Sequence, residues 1–445
     1  MGHYFGTDGI RGLVGDKLTA KISYRVGRFL GSYQGKKHSI VLGMDTRISS
    51  SMLASAFIAG VISAGSNVVQ LGVVTTPMVS FCLTHYDFSF GIMISASHNP
   101  YFDNGIKVFN EKGEKLQASI ESEIEQFLDA ELDTIENKTN QDLGRLVDNA
   151  QEYKEAYLHF LLAHVKGDFS SLRVAIDASH GSASSFVRPL MERLRIQADY
   201  FFANPDGINI NDRCGSTHMQ AIIEKVKLGN YDVGLSFDGD ADRMLAVTSE
   251  GNLVDGDALL YLHSRYTLTQ YPVAKQKIVM TKMSNLGLKK ALHHLAIPYV
   301  EVDVGDKYVQ AALAKEQLIL GGEQSGHVIF LDILNTGDGL LSALKLLELI
   351  VTQQQPLHAL LKEYVRYPQV LKNVIVQNKK AVLDHHDFAP LIHSIEEALG
   401  DDGRIFVRPS GTEPLIRVMV EAKDLGTCQQ YADQVADWIN ETFTY

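Results

Sequence analysis

One pattern recurs three times along this chain and restricts its fold more than any other property. A β-branched run leads into an amphipathic helix, then a second apolar run, then a third run that ends in an unusual polar loop. The first pass is SIVLGMDTR (39–47), a helix near Ser50–Ala64, NVVQLGVV, and FGIMISASHNP (90–100). The second is LRVAIDASHG (172–181), a helix around Ser184–Arg193, ADYFFANPD, and YDVGLSFDGDADR (231–243). The third is KIVMTKMSN (277–285), LGLKKALHHL, IPYVEVDVGD, and LILGGEQSGH (318–327). Nearly continuous apolar runs separated by helices predict α/β domains with mixed, largely parallel sheets buried on both faces. Ligands sit off the carboxyl ends of such strands, so the three closing loops are expected to face one cleft.

Two charged, helical-looking stretches, 120–163 and 340–351, read as boundary regions between units. Beyond Tyr367 the pattern shortens to an α+β segment with a strand over 404–422 and a closing helix near Cys428–Phe443. The expected domains are 1–150, 151–255, 256–366 and a smaller C-terminal 367–445. A length of 445 residues suits that number. A net charge of -12 argues against nucleic acid as a partner. Three scattered cysteines support neither disulfides nor a thiolate zinc site, and the N-terminal segment lacks a signal-peptide pattern, so the cytoplasm is the expected location. No Asp, Glu, Lys or Arg occurs from Ile48 to Tyr86, yet serines, Gly65 and Pro77 break the run into a helix and a strand rather than a membrane span.

The sharpest chemical motif is SFDGDADR. Asp238, Asp240 and Asp242 at i, i+2 and i+4 place three carboxylates on one side of an extended segment, a hard-cation site. An EF-hand is excluded because Arg243 stands where that loop requires glycine and Ser249 where it requires glutamate. Magnesium fits better, with Arg243 beside it for a phosphate. SASHNP offers Ser97 and His98 without the GxSxG of a serine hydrolase, so Ser97 reads as a nucleophile, a phosphate carrier or a helix cap. DNGIK brings Lys107 near that serine, where a cationic, partly desolvated setting would lower its pKa enough for acid–base work. GTDGIRG reads as a glycine-rich anion nest clamped by Arg11. RPSGTEP concentrates Arg408, Ser410, Gly411 and Thr412, with Arg417 close by, as a phosphate cradle. GGEQSGH supplies Glu323 and Ser325 for sugar hydroxyls, and VGDKY adds Lys307 as a further cation. Together these imply a phosphorylated polyol bound at both ends.

TDGIRG, SASHNP, FDGDADR, GEQSGH and RPSGTEP, in this order and spacing, resemble the α-D-phosphohexomutases across the whole chain. HYFGTDGIRG, INDRCGSTH (210–218) and MSNLGL resemble the bacterial phosphoglucosamine mutase branch of that family. The resemblance implies four domains around a central cleft, with Ser97 as the phosphoserine. It also implies one Mg²⁺ per subunit held by that phosphate, Asp238, Asp240 and Asp242. Glucosamine 6-phosphate and glucosamine 1-phosphate would interconvert through a 1,6-bisphosphate, feeding UDP-N-acetylglucosamine and peptidoglycan synthesis. Lys107 would be the general acid/base beside His98, with Arg11 and Arg243 stabilising the transferring group. Glu323 and Ser325 would grip sugar hydroxyls, and Arg408, Ser410, Gly411, Thr412 and Arg417 the other phosphate. The expected partner is a small phosphosugar, with no membrane and with a homodimer allowed. Two alternatives stay open: a phosphoglucomutase or phosphomannomutase of the same mechanism, and a non-catalytic sugar-phosphate sensor.

Overall fold

Strands buried on both faces need helices on both sides, and the three recurring units meet that demand in the same way. The computed structural model describes residues 4–6, 8–410 and 414–443. Its first sheet holds β1 (Phe5–Gly6), β2 (Gly9–Leu13), β3 (Ser39–Met44), β4 (Asn67–Val73), β5 (Phe90–Ile94), β6 (Asp103–Asn110) and β7 (Leu146–Val147) in the order β1-β2-β6-β5-β3-β4-β7. The second holds β8 (Arg173–Asp177), β9 (Gln197–Phe201), β10 (Val233–Phe237), β11 (Met244–Thr248) and β12 (Leu253–Val254) in the order β12-β11-β10-β8-β9. The third holds β13 (Ile278–Thr281), β14 (Tyr299–Val302), β15 (Leu320–Gly322) and β16 (Val328–Phe330) in the order β14-β13-β15-β16. In each sheet the second, first and third runs of the unit pair in parallel, and a fourth strand returns antiparallel beside the third. That return turns the polar ends of β5, β10 and β15 into tight loops.

The chain divides into two compact units, residues 1–283 with 297–362, and residues 284–296 with 363–445. In the second unit, 404–422 is two antiparallel strands rather than the single strand expected. They are β18 (Gly403–Pro409) and β19 (Leu415–Ala422), with β17 (Gln369–Ile375) on the other side of β19. The first ends at Pro409 and the second begins at Leu415. Asn285 of MSNLGL is structural here: Nδ2 donates to Tyr367 O and Glu421 Oε1, both at 3.1 Å, and Oδ1 accepts from the Gly287 and Tyr367 N–H groups.

Helices occupy parts of both expected boundary regions. Helix Ala118–Asp129 buries Ile124 and Leu128 in the core of the first sheet. Helix Gly339–Gln353 buries ten residues and packs on β11 and on helix Ala150–Ala163, so the apolar face outweighs its few charges. The uncharged stretch after Ile48 becomes helix Ser50–Ser63, β4 and helix Thr76–His85. Among the described residues no helix is long and apolar enough to cross a membrane.

Asp338 caps helix Gly339–Gln353, accepting from Leu341 N–H at 3.0 Å and from Tyr157 Oη–H at 2.6 Å. Burial pushes its carboxyl up to about 6 from an ordinary 3.8, against the lowering pull of those bonds. Between those two values the folded chain holds a proton that the unfolded chain has released, so this group's contribution to stability falls as pH rises through that window. Asp338→Asn preserves both contacts, because the Tyr157 hydroxyl can accept instead of donate. Urea midpoints of wild type minus variant will therefore decline from about pH 4 to pH 6 and level off above. A difference that stays flat or rises would show that Asp338 is ionised throughout.

Candidate active site

The end of β5 and the end of β10 meet at Ser97. The fully buried FGIMI strand delivers the SASHNP loop inward, and Ser97 sits there in the left-handed region at φ 52°, itself buried. Its Oγ–H donates to Asp238 Oδ2 at 2.6 Å. Gly239 permits this approach, since a Cβ there would lie 2.5 Å from the Ser97 carbonyl oxygen. From the second domain, Asn211 Nδ2 donates to the carbonyls of Ser97 (2.9 Å) and Asn99 (3.1 Å).

Asp238, Asp240 and Asp242 converge as the spacing predicts, all buried, with one oxygen from each within 4.8 Å of the others. Asp240 Oδ1 and Asp242 Oδ1 are buried without a hydrogen-bond partner among the described residues. Burial and the neighbouring Asp242 and Asp240 hold the Asp238 carboxyl well above the usual range. Three hard oxygen donors, two of them with unfilled acceptors, form a donor set that suits a divalent cation. Thr76 also reaches this loop, its N–H donating to Asp240 O at 3.0 Å and its hydroxyl to Asp240 Oδ2.

Lys107 lies on β6 opposite Met93 of β5, so a hairpin places it beside the Ser97 loop. Its Nζ contacts Asp240 Oδ2 at 2.7 Å, Asp8 Oδ2 at 3.2 Å and Asp242 Oδ2 at 3.4 Å. The expected lowering of its pKa is overturned. Burial does favour the neutral amine, but Asp240, Asp8 and Asp242 outweigh it and raise the pKa, fixing an ammonium. His98 behaves oppositely: burial, with Arg243 and Arg11 nearby, pushes it down to about 4. Arg243 Nη1 donates to His98 Nδ1 at 3.3 Å, and Ser97 Oγ lies 3.4 Å from the same nitrogen. Neutral His98 thus accepts from Arg243 beside the serine, whose own proton goes to Asp238. Arg243 N–H donates to Asp238 Oδ1 at 3.2 Å.

Around TDGIRG, β1 and β2 pair antiparallel. Gly6 pairs with Gly9, and Gly9 at φ 82° passes so close to Ile106 O that a Cβ would lie 2.3 Å from it. Arg11 pairs with Asp8, and Thr7 lies outside the described residues. Asp8 continues outward to Lys115 (2.7 Å), which bridges at 2.7 Å to Asp306. In VGDKY, then, Asp306 is the residue that joins the cluster, while Lys307 is exposed with its Nζ 5.2 Å over the Tyr308 ring.

The GGEQSGH loop joins from β15. Glu323 Oε1 accepts from Gly305 N–H at 3.0 Å, and Gly326 O accepts from Met244 N–H at 3.1 Å, tying the loop to the end of the aspartate motif. Ser325 Oγ and Gln324 Nε2 are buried without partners among the described residues, groups suited to a polar ligand. His327, which the sequence reading passed over, accepts Gly337 N–H on Nε2 (3.2 Å) and turns Nδ1 toward Asp242 Oδ1, 3.8 Å away. In the second unit, Arg408 on β18 and Arg417 on β19 stand directly opposite each other. Burial and Arg417 lower the Arg408 pKa. Facing like charges are unfavourable alone and favour an anion between them. Ser410 is buried nearby, and Lys379 Nζ donates to its carbonyl at 2.6 Å. Gly411 and Thr412 fall outside the described residues.

Four family descriptions match in sequence. Phosphoglucomutase/phosphomannomutase alpha/beta/alpha domain I matches residues 2–134, domain II 151–251, domain III 255–367 and the C-terminal domain 371–438. A phosphoglucosamine mutase of Lachnospira eligens is 44% identical over 444 residues, covering 99% of this chain and 98% of its own length. One from Anoxybacillus flavithermus is 44% identical with 100% of both chains covered. Among solved structures, a phosphoglucomutase/phosphomannomutase family protein of Burkholderia thailandensis superposes with TM-score 0.80 at 24% identity, covering 98% of this chain and 97% of that one. Aspergillus fumigatus N-acetylphosphoglucosamine mutase, in complex with GlcNAc-6P and magnesium, gives TM-score 0.71 at 18% identity, with 99% and 96% covered.

Proposed function

The chain belongs to the phosphohexomutase family and, within it, to the phosphoglucosamine mutases, and on that premise we propose that it isomerises glucosamine 6-phosphate and glucosamine 1-phosphate with Ser97 as phosphoryl carrier. The observation that carries this reading is the 2.6 Å bond between Ser97 Oγ and Asp238 Oδ2, which sets a buried hydroxyl against three converging carboxylates. Phosphoryl leaves Ser97 Oγ as that O–P bond breaks and the sugar O1–P bond forms, and the O1 proton departs to a base. The resulting 1,6-bisphosphate turns over, and its O6–P bond breaks as Ser97 is phosphorylated again. Bisphosphate is therefore both intermediate and activator.

Asp238, Asp240 and Asp242, with the Ser97 phosphate, are the residues that would hold Mg²⁺, which supplies charge neutralisation for the transferring group. Lys107 enters as an ammonium and can donate a proton to the departing Ser97 oxygen, while neutral His98 can accept one. Arg11 and Arg243 oppose developing negative charge, Glu323 and Ser325 hold sugar hydroxyls, and Lys307 is available to the substrate from outside the cluster. Arg408, Ser410, Gly411, Thr412 and Arg417 take the phosphate that is not being transferred. The labour divides over 1–150, 151–255, 256–366 and 367–445, and the substrate is a cytoplasmic phosphosugar.

Phosphorus NMR tests the reading, with Mg²⁺, a trace of glucose 1,6-bisphosphate, and equal glucosamine 6-phosphate and glucose 6-phosphate. Preferential growth of the glucosamine 1-phosphate signal is the expected result. Excess glucose 1-phosphate would keep the mechanism and overturn the sugar. Inorganic phosphate alone, or no change with Ser97 phosphorylated, would overturn the mutase.

A further inference from the structure

The backbone of Ser97 is held at both ends by one ion pair. Ser97 N–H donates to Ser95 Oγ at 2.9 Å, and Ser95 Oγ–H donates to Asp45 Oδ2 at 2.8 Å. Arg47 Nε donates to the same Asp45 oxygen at 2.8 Å, and Arg47 Nη2 donates to Ser97 O at 2.9 Å, closing the ring. The remaining N–H groups of that guanidinium go to the carbonyls of Asn99 (2.9 Å), Asp103 (3.0 Å) and Pro100, so all five are engaged. Asp45 Oδ1 is fixed in turn by Ser50 Oγ–H at 2.7 Å and by Arg47 N–H at 3.1 Å. Both side chains are wholly shielded from solvent.

A left-handed conformation is unfavourable for a residue with a side chain, so something must hold Ser97 there. The fork of Arg47 gathers four carbonyls of one turn, a task for which a lysine has too few donors and the wrong shape. A buried pair whose only role was stability would often be neutral against apolar residues of like volume. This one contacts the turn that carries the nucleophile at four points.

We propose that Asp45 and Arg47 are positioning residues that fix the Ser97 backbone and thereby aim Oγ for phosphoryl transfer, an inference that rests on Ser97 being the phosphoryl carrier. Asp45 reaches the Ser97 N–H through Ser95, and Arg47 reaches its carbonyl directly.

The test uses full-length wild type, Arg47→Lys, Asp45→Asn and Ser95→Ala with Mg²⁺ and glucose 1,6-bisphosphate. It follows the single-turnover rate of phosphate arrival on Ser97 by intact mass, alongside kcat, KM and far-ultraviolet dichroism. In Arg47→Lys, phosphorylation of Ser97 and kcat will both fall about a hundredfold, as expected for a nucleophile displaced by about 1 Å, while KM changes by less than about threefold. The retained positive charge will not rescue it. Ser95→Ala, which removes one hydroxyl and no charge, keeps the test open should the charge variants fail to fold. Its kcat will fall about tenfold at unchanged KM. Phosphorylation within about twofold of wild type in the folded variants would overturn the positioning role, as would a rise in KM at unchanged kcat. If wild type itself gains no phosphate on Ser97, the carrier reading and this inference fall together.

Discussion

Ser97→Ala will abolish mutase turnover and leave the fold standing. The serine side chain contributes one good hydrogen bond, to Asp238, whose net worth to stability is about 1 kcal/mol. Alanine meets the same backbone demand at φ 52° that serine does, so the loop keeps its course through the Arg47 and Asn211 contacts, which reach main-chain atoms. Catalysis has no such reserve. Removing the nucleophile of a covalent mechanism costs on the order of 10⁶ in rate when no neighbour replaces it, and no other hydroxyl is described at hydrogen-bond distance from Asp238 Oδ2. The measurement pairs glucosamine 1-phosphate formation with calorimetric titration of glucosamine 6-phosphate. Lost turnover with retained binding is expected. Activity above about 1% of wild type would remove Ser97 from the carrier role.

How much of this was legible in the sequence follows from how local each signal is. The three-sheet plan was readable because strands buried on both faces leave apolar runs that composition cannot hide. The aspartate triad was readable because its three residues lie within one extended segment. Contacts across long sequence intervals leave no such trace. Asp306 meets Lys115 across 191 positions, and Asn211 meets Ser97 across 114, so neither stood out beside a more conspicuous neighbour in its motif. Arg47 read as the polar end of a strand, although it organises the turn around Ser97. Lys107 was placed near the serine correctly but with its pKa moved the wrong way. Burial can be anticipated from an apolar strand, whereas the carboxylates that outweigh it come from two other loops, Asp8 from one and Asp240 and Asp242 from the other. The helix at 339–353 was misjudged for a related reason. Lys345 and Glu348 pair with each other at 2.9 Å, leaving the rest of its surface apolar enough to be core.

The electrostatics of Lys107 lead to the other large effect. Lys107→Met will destabilise the first unit by about 3–5 kcal/mol in the presence of EDTA, the cost of breaking a buried pair by removing one partner. Methionine fills most of the volume, so the loss is one of charge. Asp240, Asp242 and Asp8 then share a buried site with Asp238 while Lys115 and Arg243 remain on its flanks. The melting transition should fall by roughly 4–7 °C for a unit of this size. Because a divalent cation opposes the same carboxylates, saturating Mg²⁺ will stabilise the variant more than wild type. Lys107→Arg keeps the charge and should recover most of the loss in EDTA. Turnover of Lys107→Met will remain low even with Mg²⁺, since the metal restores charge balance but carries no proton to Ser97 Oγ. Melting curves with EDTA and with Mg²⁺ separate these contributions. A variant as stable as wild type in EDTA would show that the three carboxylates do not depend on Lys107. Full turnover with Mg²⁺ would place the proton donor elsewhere.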